Sequence, residues 1–325
     1  MKLPRRQFLY LAAGAAAVSA GSRVGLAQDA YPSRPIHVIV GFTPGAAADV
    51  AARVLSQGAG PMLGQQIVVE NRPGAGSSIA AEYVARAPND GYTLFLATLS
   101  IITNQIINPK ESLDLTRDFA PIALLELGAV VLVVNPASNI HSVDELIAVA
   151  KAKRGQLLHA TVVGSLPHLA SELFAQRTGT ELTQVPYQGS PQAVMDVIAG
   201  RAVMMFSPAS SVVGQIAAGK LRALAVAAKT RPSALPDVPT MAEAGIPDFD
   251  TSLWFGLLAP AGTSREVIEK LAVSARMAMH SPEAIETLRK QGYEPFDAGP
   301  DEFAVFIRSE IIRWSKVARV AGLKS

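Results

Sequence analysis

The stretch Ile36-His37-Val38-Ile39-Val40-Gly41-Phe42-Thr43-Pro44-Gly45-Ala46-Ala47-Ala48-Asp49 decides the fold. Five β-prone residues end at Gly41, a Gly/Pro loop follows, and an alanine-rich segment begins at Asp49. This reads as a strand over 36–40, a loop over 42–48 and a helix over 49–57. Residues 66–70 form a second strand, closed by Asn71-Arg72-Pro73-Gly74-Ala75-Gly76. Ser77 or Ser78 caps a helix running to about residue 87. Pro88-Asn89-Asp90-Gly91 is a turn, and residues 92–97 form a third strand.

The same unit returns further on. Residues 157–163 read as a strand, Gly164-Ser165-Leu166-Pro167 as a loop and 168–178 as a helix. Residues 182–185 are a strand, Pro186-Tyr187-Gln188-Gly189-Ser190-Pro191 a loop, 192–199 a helix and 202–206 a strand. Strands alternating with helices of this length imply parallel sheets. Two similar lobes follow from the repeat, although one doubly wound sheet satisfies the same alternation.

Ligands of parallel sheets bind beyond the carboxyl ends of the strands. Here those ends are loops that each lead into a helix, where free N–H groups and the helix dipole favour an anion. Among these loops Arg72 is the one basic residue, and it precedes Pro73. The expected clamp therefore holds an anion by backbone N–H groups, Gly45 among them, with glycine and proline allowing close approach.

Composition narrows the class. Lys2, Arg5 and Arg6 precede an apolar segment over 8–20, too short to span a bilayer, and Gly25-Leu26-Ala27 offers a cleavage site before Gln28. This is the pattern of a signal peptide; the competing reading, a buried amphipathic helix, lacks a polar face. Arg5-Arg6-Gln7-Phe8-Leu9 partly matches a twin-arginine signal, with Pro4 in place of the usual hydroxyl residue, so export by the Sec or the twin-arginine route fits. The chain has no cysteine, hence no lipid anchor at a cleaved N-terminal Cys and no disulfide. The leader holds four basic residues and no acid, so the formal charge of +2 becomes −2 in a mature chain of about 298 residues, large enough for two lobes. A slightly acidic chain without a basic run is no nucleic-acid binder.

Catalytic constellations are missing. There is no Gly-x-Ser-x-Gly elbow, phosphate loop or dinucleotide fingerprint, and the five histidines (37, 141, 159, 168 and 280) show no metal-ligand spacing. Ser165, His168 and Asp49 could in principle form a triad, but capping and loop hydrogen bonds explain all three. Trp254 lines the cleft or belongs to a core strand. No metal and no organic cofactor are expected, and the protein is expected to be a monomer.

Several phrases then carry a resemblance: Tyr31-Pro32-Ser33-Arg34-Pro35-Ile36, Val69-Glu70-Asn71-Arg72-Pro73-Gly74-Ala75-Gly76, Asp90-Gly91-Tyr92-Thr93-Leu94, Val185-Pro186-Tyr187-Gln188-Gly189, Leu235-Pro236-Asp237-Val238-Pro239-Thr240 and Trp254-Phe255-Gly256-Leu257-Leu258-Ala259-Pro260. In this order the chain resembles the Bug family of extracytoplasmic receptors of tripartite tricarboxylate transporters, from about Tyr31 to Gly322. The resemblance implies an α/β, two-lobed periplasmic-binding-protein (Venus flytrap) fold, type II-like, with two chain crossings. It also implies a small organic carboxylate, held by backbone amides and two ordered waters, and delivery to integral-membrane transporter subunits in the periplasm. The lobes expected are 28–134 with 254–325, and 135–253, after a signal peptide over 1–27, with hinges near Val134-Asn135 and Ser252-Leu253-Trp254. The candidate ligand contacts are Phe42, Pro44, Gly45, Ala46, Asp49, Ser77, Ser78 and Thr98 on one side, and Thr161, Gly164, Ser165, His168, Tyr187, Gly189 and Ser207 on the other. The family loop Pro-Gly-Gly-x-x-Asp is here Pro44-Gly45-Ala46-Ala47-Ala48-Asp49, and the glycine-rich loop of the second lobe carries Val162-Val163, which implies a more apolar pocket. A sensor input protein and an enzyme on the same fold are the competing functions; a partner pull-down and a search for turnover separate them.

N-terminal sequencing of the exported protein should begin at Gln28. A mature protein that begins at Met1 removes the export reading.

Overall fold

The computed structural model describes residues 31–107, 113–163, 165–187 and 189–320; the expected signal peptide and cleavage site lie outside them. Within 34–325, the three strands of the first repeat, β1 (Ile36–Val40), β2 (Ile67–Asn71) and β3 (Thr93–Thr98), are parallel, with β1 in the middle. β1 is hydrophobic because it is covered on both faces: Ile36, Val38, Ile39 and Val40 are fully buried. β4 (Phe119–Gly128), β10 (Leu253–Pro260) and β11 (Tyr293–Ala298) extend this sheet in the order β11-β4-β10-β3-β1-β2. The second repeat forms its own sheet. β6 (Leu157–Val162), β7 (Leu182–Tyr187) and β8 (Met204–Pro208) are joined by β5 (Val130–Val134) and β9 (Arg222–Val226) in the order β7-β6-β8-β5-β9. Each parallel trio has the same order: second strand, first strand, third strand. Two sheets, and not one doubly wound sheet, satisfy the repeat.

The helices are α1 (Ala47–Leu63), α2 (Ser78–Ala85), α3 (Leu99–Ile107), α4 (Leu115–Asp118), α5 (Val143–Ala152), α6 (Leu166–Thr178), α7 (Ser190–Ile198), α8 (Ala209–Ala217), α9 (Arg265–Met279), α10 (Pro282–Lys290) and α11 (Pro300–Val320). α1 runs six residues past its expected end, through Gly58, Gly60 and Pro61. Packing overrides their low propensity: a Cβ at Gly58 would lie 2.7 Å from the Ala278 Cβ of α9, so the close helix contact requires the residue that reads as a breaker. β7 likewise continues through Pro186 and Tyr187, which read as loop. It is an edge strand, where proline leaves no ladder bond unmade.

The chain changes sheets between Gly128 and Val130. The expected crossing at Val134-Asn135 is therefore displaced, since 130–134 is a strand of the second sheet. The cause is legible: Ile122-Ala123-Leu124-Leu125-Glu126-Leu127-Gly128-Ala129-Val130-Val131 reads as one strand-like run that spans both sheets. The return follows β9, through residues 227–252, and re-enters at Leu253. Pairing fixes what lies at the crossing. Gly128 is opposite Leu253, and Thr98 is opposite Phe255, so the first sheet is left at the carboxyl edge of its parallel strands. Val130 is opposite Pro208, so the second sheet is entered at the carboxyl edge of its own. Both loop-bearing edges thus meet the same junction.

Trp254 is core. It is fully buried, meets Phe303 and Phe306 of α11 edge-on at 5.9 and 5.7 Å, and donates from Nε1 to Glu310 Oε2 at 3.2 Å. Beside it, a Cβ on Gly256 would lie 2.1 Å from Phe303 Cζ. Gly256→Ala should lower stability by about 1–3 kcal/mol through overpacking, read as a lower denaturant midpoint. An unchanged midpoint would mean that α11 does not seat against β10 here.

Candidate functional site

The first-sheet half of the site is two loops locked together. A Cβ on Gly41 would lie 1.7 Å from Ser77 Oγ, so only glycine lets the loops after β1 and β2 touch. Asp49, nearly fully buried, pins the first loop. Its Oδ2 accepts from the Gly45 N–H at 2.9 Å and from Arg53 Nε at 2.9 Å; its Oδ1 accepts from Arg53 Nη2 at 3.0 Å and Asn71 Nδ2 at 2.9 Å. Asn71 also donates to Phe42 O at 3.0 Å. Burial opposes the charge on Asp49, but the hydrogen bonds from Arg53, Gly45 and Asn71 outweigh it and hold the carboxyl below its usual range. Asp49 is thus spent on loop structure. The Gly45 N–H, expected to be available to an anion, is bound to it, although the backbone at Gly45 (φ +82°) borders open space.

The second loop is strained. Residues 74–77 all have positive φ, including Ala75 (46°) and Ser77 (80°), a conformation that costs a non-glycine residue free energy. Asn104 of α3 secures it through a hydrogen bond from Nδ2 to Ala75 O at 3.0 Å and a contact with Ser78 Oγ. Ser77 Oγ is buried and has no hydrogen-bond partner. Thr98, at the end of β3, accepts from the Ser100 N–H at 3.2 Å. Arg72 is engaged elsewhere: its guanidinium lies 3.8 Å from the Tyr83 ring centroid and 3.4 Å from Glu70 Oε2.

In the second sheet, Ser165 caps α6. Its Oγ accepts from the His168 N–H at 3.4 Å and donates to Val162 O at 2.6 Å. The His168 ring is buried within this half, 3.7 Å from Glu172 Oε1 and hydrogen-bonded to Gln184. Burial lowers its pKa against the pull of Glu172 and Gln184, and burial with His168 nearby lowers His159 to about 4, so both rings are neutral near pH 7. No triad forms, because Asp49 is committed to Arg53 and Asn71, and the Ser165 hydroxyl to Val162. Tyr187 Oη donates to Asp196 Oδ2 at 2.6 Å; burial, then that bond, push its pKa up to about 12. Thr161 Oγ1 is buried without a partner. Ser207 is fully buried, and Gly164 lies outside the described residues.

Helix capping separates the site from the rest of the molecule. α5, α9 and α10, away from the carboxyl edges, start on Ser142, Ser264 and Ser281, each accepting a first-turn N–H. α1, α2, α7 and α8, which follow β1, β2, β7 and β8, start on Ala46, Ser77, Gly189 and Pro208 with no side-chain cap. α6, capped by Ser165, and α3, whose Ser100 N–H donates to Thr98 Oγ1, are the exceptions at these edges. A helix start without a side-chain cap can offer first-turn N–H groups to an external acceptor; at two of the four the first N–H is already taken, Ser78 by Ala75 O and Ala209 by Ala129 O. Sequence reading found Ser77, Gly189 and Ala46 but missed Asn71, Asn104 and Gly41, which hold the loops. The available signal was Asn104 in the helix that directly follows β3, at the carboxyl edge where the loops gather.

Residues 51–323 match the family model for the tripartite tricarboxylate transporter family receptor. Protein BugT of Bordetella pertussis is 38% identical over 309 residues, covering 94% of this chain and 95% of that protein. The structure of Rpa4515 from R. palustris with adipate superposes with a TM-score of 0.81 at 34% identity, over 90% of this chain and 98% of that one. MatC from Rhodopseudomonas palustris with bound malate gives 0.78 at 30% identity, over 88% and 99%. The fold is the two-lobed one of these binding proteins, and the chain belongs to the receptor family of tripartite tricarboxylate transporters, the Bug proteins among them.

Proposed function

We propose that this receptor captures a small organic carboxylate in the periplasm, between the loop-bearing edges of its two sheets, and delivers it to the membrane subunits of a tripartite transporter. The observation that carries the reading is the set of four helix starts without side-chain caps, in loops whose one basic residue is already paired. An anion held there takes its hydrogen bonds from backbone N–H groups, and Ser77 and Thr161 each bring a hydroxyl that has no partner in the ligand-free protein. The adipate and malate complexes of the two relatives support a carboxylate. Ala46 in the first loop and Val163, 57% exposed in the turn after β6, favour a ligand with an apolar body. We expect adipate to bind more tightly than malate.

Native mass spectrometry of protein purified from the periplasm should show a retained carboxylate, and calorimetry with adipate measures the contacts. Ser77→Gly relieves a positive φ and removes a buried orphan hydroxyl. It should leave the ligand-free protein as stable or more so, while weakening adipate roughly 10-fold or more, the loss of one charge-assisted hydrogen bond of about 1.5–3 kcal/mol. Arg72→Ala should cost less than about 1 kcal/mol, because that guanidinium is a half-exposed partner of Glu70 and Tyr83. If Arg72→Ala abolishes binding and Ser77→Gly leaves it intact, an ion pair holds the ligand and the backbone clamp is wrong.

A further inference from the structure

Glu126 sits on β4 three residues before Ala129, the residue at which the chain changes sheets. It pairs with Phe255 of β10 on one side and Pro295 of β11 on the other. Its side chain is buried, and Oε2 has no hydrogen-bond partner. Strand alternation puts Gly128 on the same face. Tyr293 lies opposite Gly128, and its ring covers that glycine: a Cβ there would be 2.1 Å from the ring edge. The ring also meets Phe255 edge-on at 5.5 Å, and its hydroxyl is 3.2 Å from Ser210 Oγ on α8, which follows β8 of the second sheet. The backbone beside it is equally close. The Ala129 N–H donates to Gly292 O at 3.3 Å, the Ala209 N–H donates to Ala129 O at 2.9 Å, and a Cβ on Gly292 would lie 2.5 Å from that of Ala209. A line of contacts thus runs from Glu126 through Tyr293 to Ser210, across the junction of the sheets.

We propose that Glu126 is a proton-operated latch on this junction: as a neutral acid it leaves the contacts dry and the two sheets tightly joined, and as a carboxylate it draws in water and loosens them. Among the described residues, no cation forms an ion pair with it to offset its charge. β10 offers it Phe255, and β11 offers Pro295 and Tyr293. The buried residues of α9, which packs on β4, are apolar apart from Ser274. Tyr293 is the titratable group beside it: burial, and after it the Glu126 charge, push the phenol up, so it stays neutral while Glu126 titrates. A lone carboxylate in such a site is expensive, so the side chain keeps its proton; burial pushes its pKa up to about 8.

The sign of the pH effect follows. The folded protein holds this proton to about pH 8, whereas the unfolded chain releases it near 4.5. Stability from this group is therefore lost as pH rises across that window and is level above it. His159 acts in the opposite sense but only below about pH 6.5, where the unfolded chain takes up a proton that the folded state refuses until about pH 4. The interval from about pH 6.5 to 9 isolates Glu126 from His159.

The test uses ligand-free mature protein, so its failure is distinct from failure of the ligand reading. Between those pH values the wild-type melting temperature should fall by several degrees and the radius of gyration from solution scattering should rise, while Glu126→Gln stays flat in both. Tyr293→Phe should keep the melting slope and lose the change in radius, because the link to Ser210 is cut. Equal slopes for wild type and Glu126→Gln, or an unchanged scattering response in Tyr293→Phe, overturn the latch. Should the Gln variant fail to fold, infrared titration of the wild type decides: a protonated carboxyl band present at neutral pH and lost near pH 8 supports the proposal, and its absence at neutral pH overturns it.

Discussion

Ala129 is the constraint on which the arrangement rests. One residue separates the last strand position of β4 from the first of β5, and its N–H and C=O are both used, one toward Gly292 and one toward Ala209. So short a connection cannot turn the second sheet away from the first. Because β4 runs in the direction of β1–β3, and β5 runs against β6–β8, the carboxyl edges of both parallel trios must come to the same place. The repeat supplies two loop-bearing edges, and the crossing makes them face one another. Hinge motion about such a crossing changes few backbone angles, which suits a molecule that must admit a ligand and then enclose it.

The loops at those edges are held by polar groups, not by regular structure. Asp49 gathers four hydrogen bonds from three residues, and so fixes the loop after β1 without a strand or a helix turn to support it. Asn104 does the same for the loop after β2, where positive φ at Ala75 and Ser77 would otherwise relax. The proposed grip by N–H groups requires this. Backbone donors are useful only if the backbone stays where it is before the ligand arrives, since ordering the loop on binding would be subtracted from affinity.

Much of this was legible in the sequence. The strand runs at 36–40 and 157–162 and the Gly/Pro loops behind them are local signals, and local signals survive folding. What was illegible depends on partners far away in the chain. Gly58 looks like a helix breaker until Ala278 is beside it, and Pro186 looks like a loop residue until β7 is known to be an edge. The break at Ala129 is hidden because both strands it joins are buried, so nothing polar marks the point where one sheet stops. The site shows the same division. Reading residue types identified Asp49, His168 and Tyr187 as polar groups near strand ends, but not that Arg53, Glu172, Gln184 and Asp196 had already engaged them.

That distinction separates the polar residues satisfied within the fold from those the proposed ligand would satisfy. A buried polar atom without a partner is unfavourable, and folded chains rarely keep one. Here Asp49, Ser165 and Tyr187 are satisfied within the chain, and the energetic reason for their burial is complete without a ligand. Ser77 and Thr161 are not satisfied; Ser77 starts the helix after β2, and Thr161 lies near the end of β6 in the other sheet. Neither hydroxyl contributes to the ligand-free fold, and Ser77 also holds a backbone conformation that serine disfavours. Glycine would suit the positive φ at Ser77 better, and valine would fill the strand position of Thr161 without leaving a buried hydroxyl unpaired. On the proposed reading, one bound anion reaching both edges gives each hydroxyl the partner that the fold does not supply.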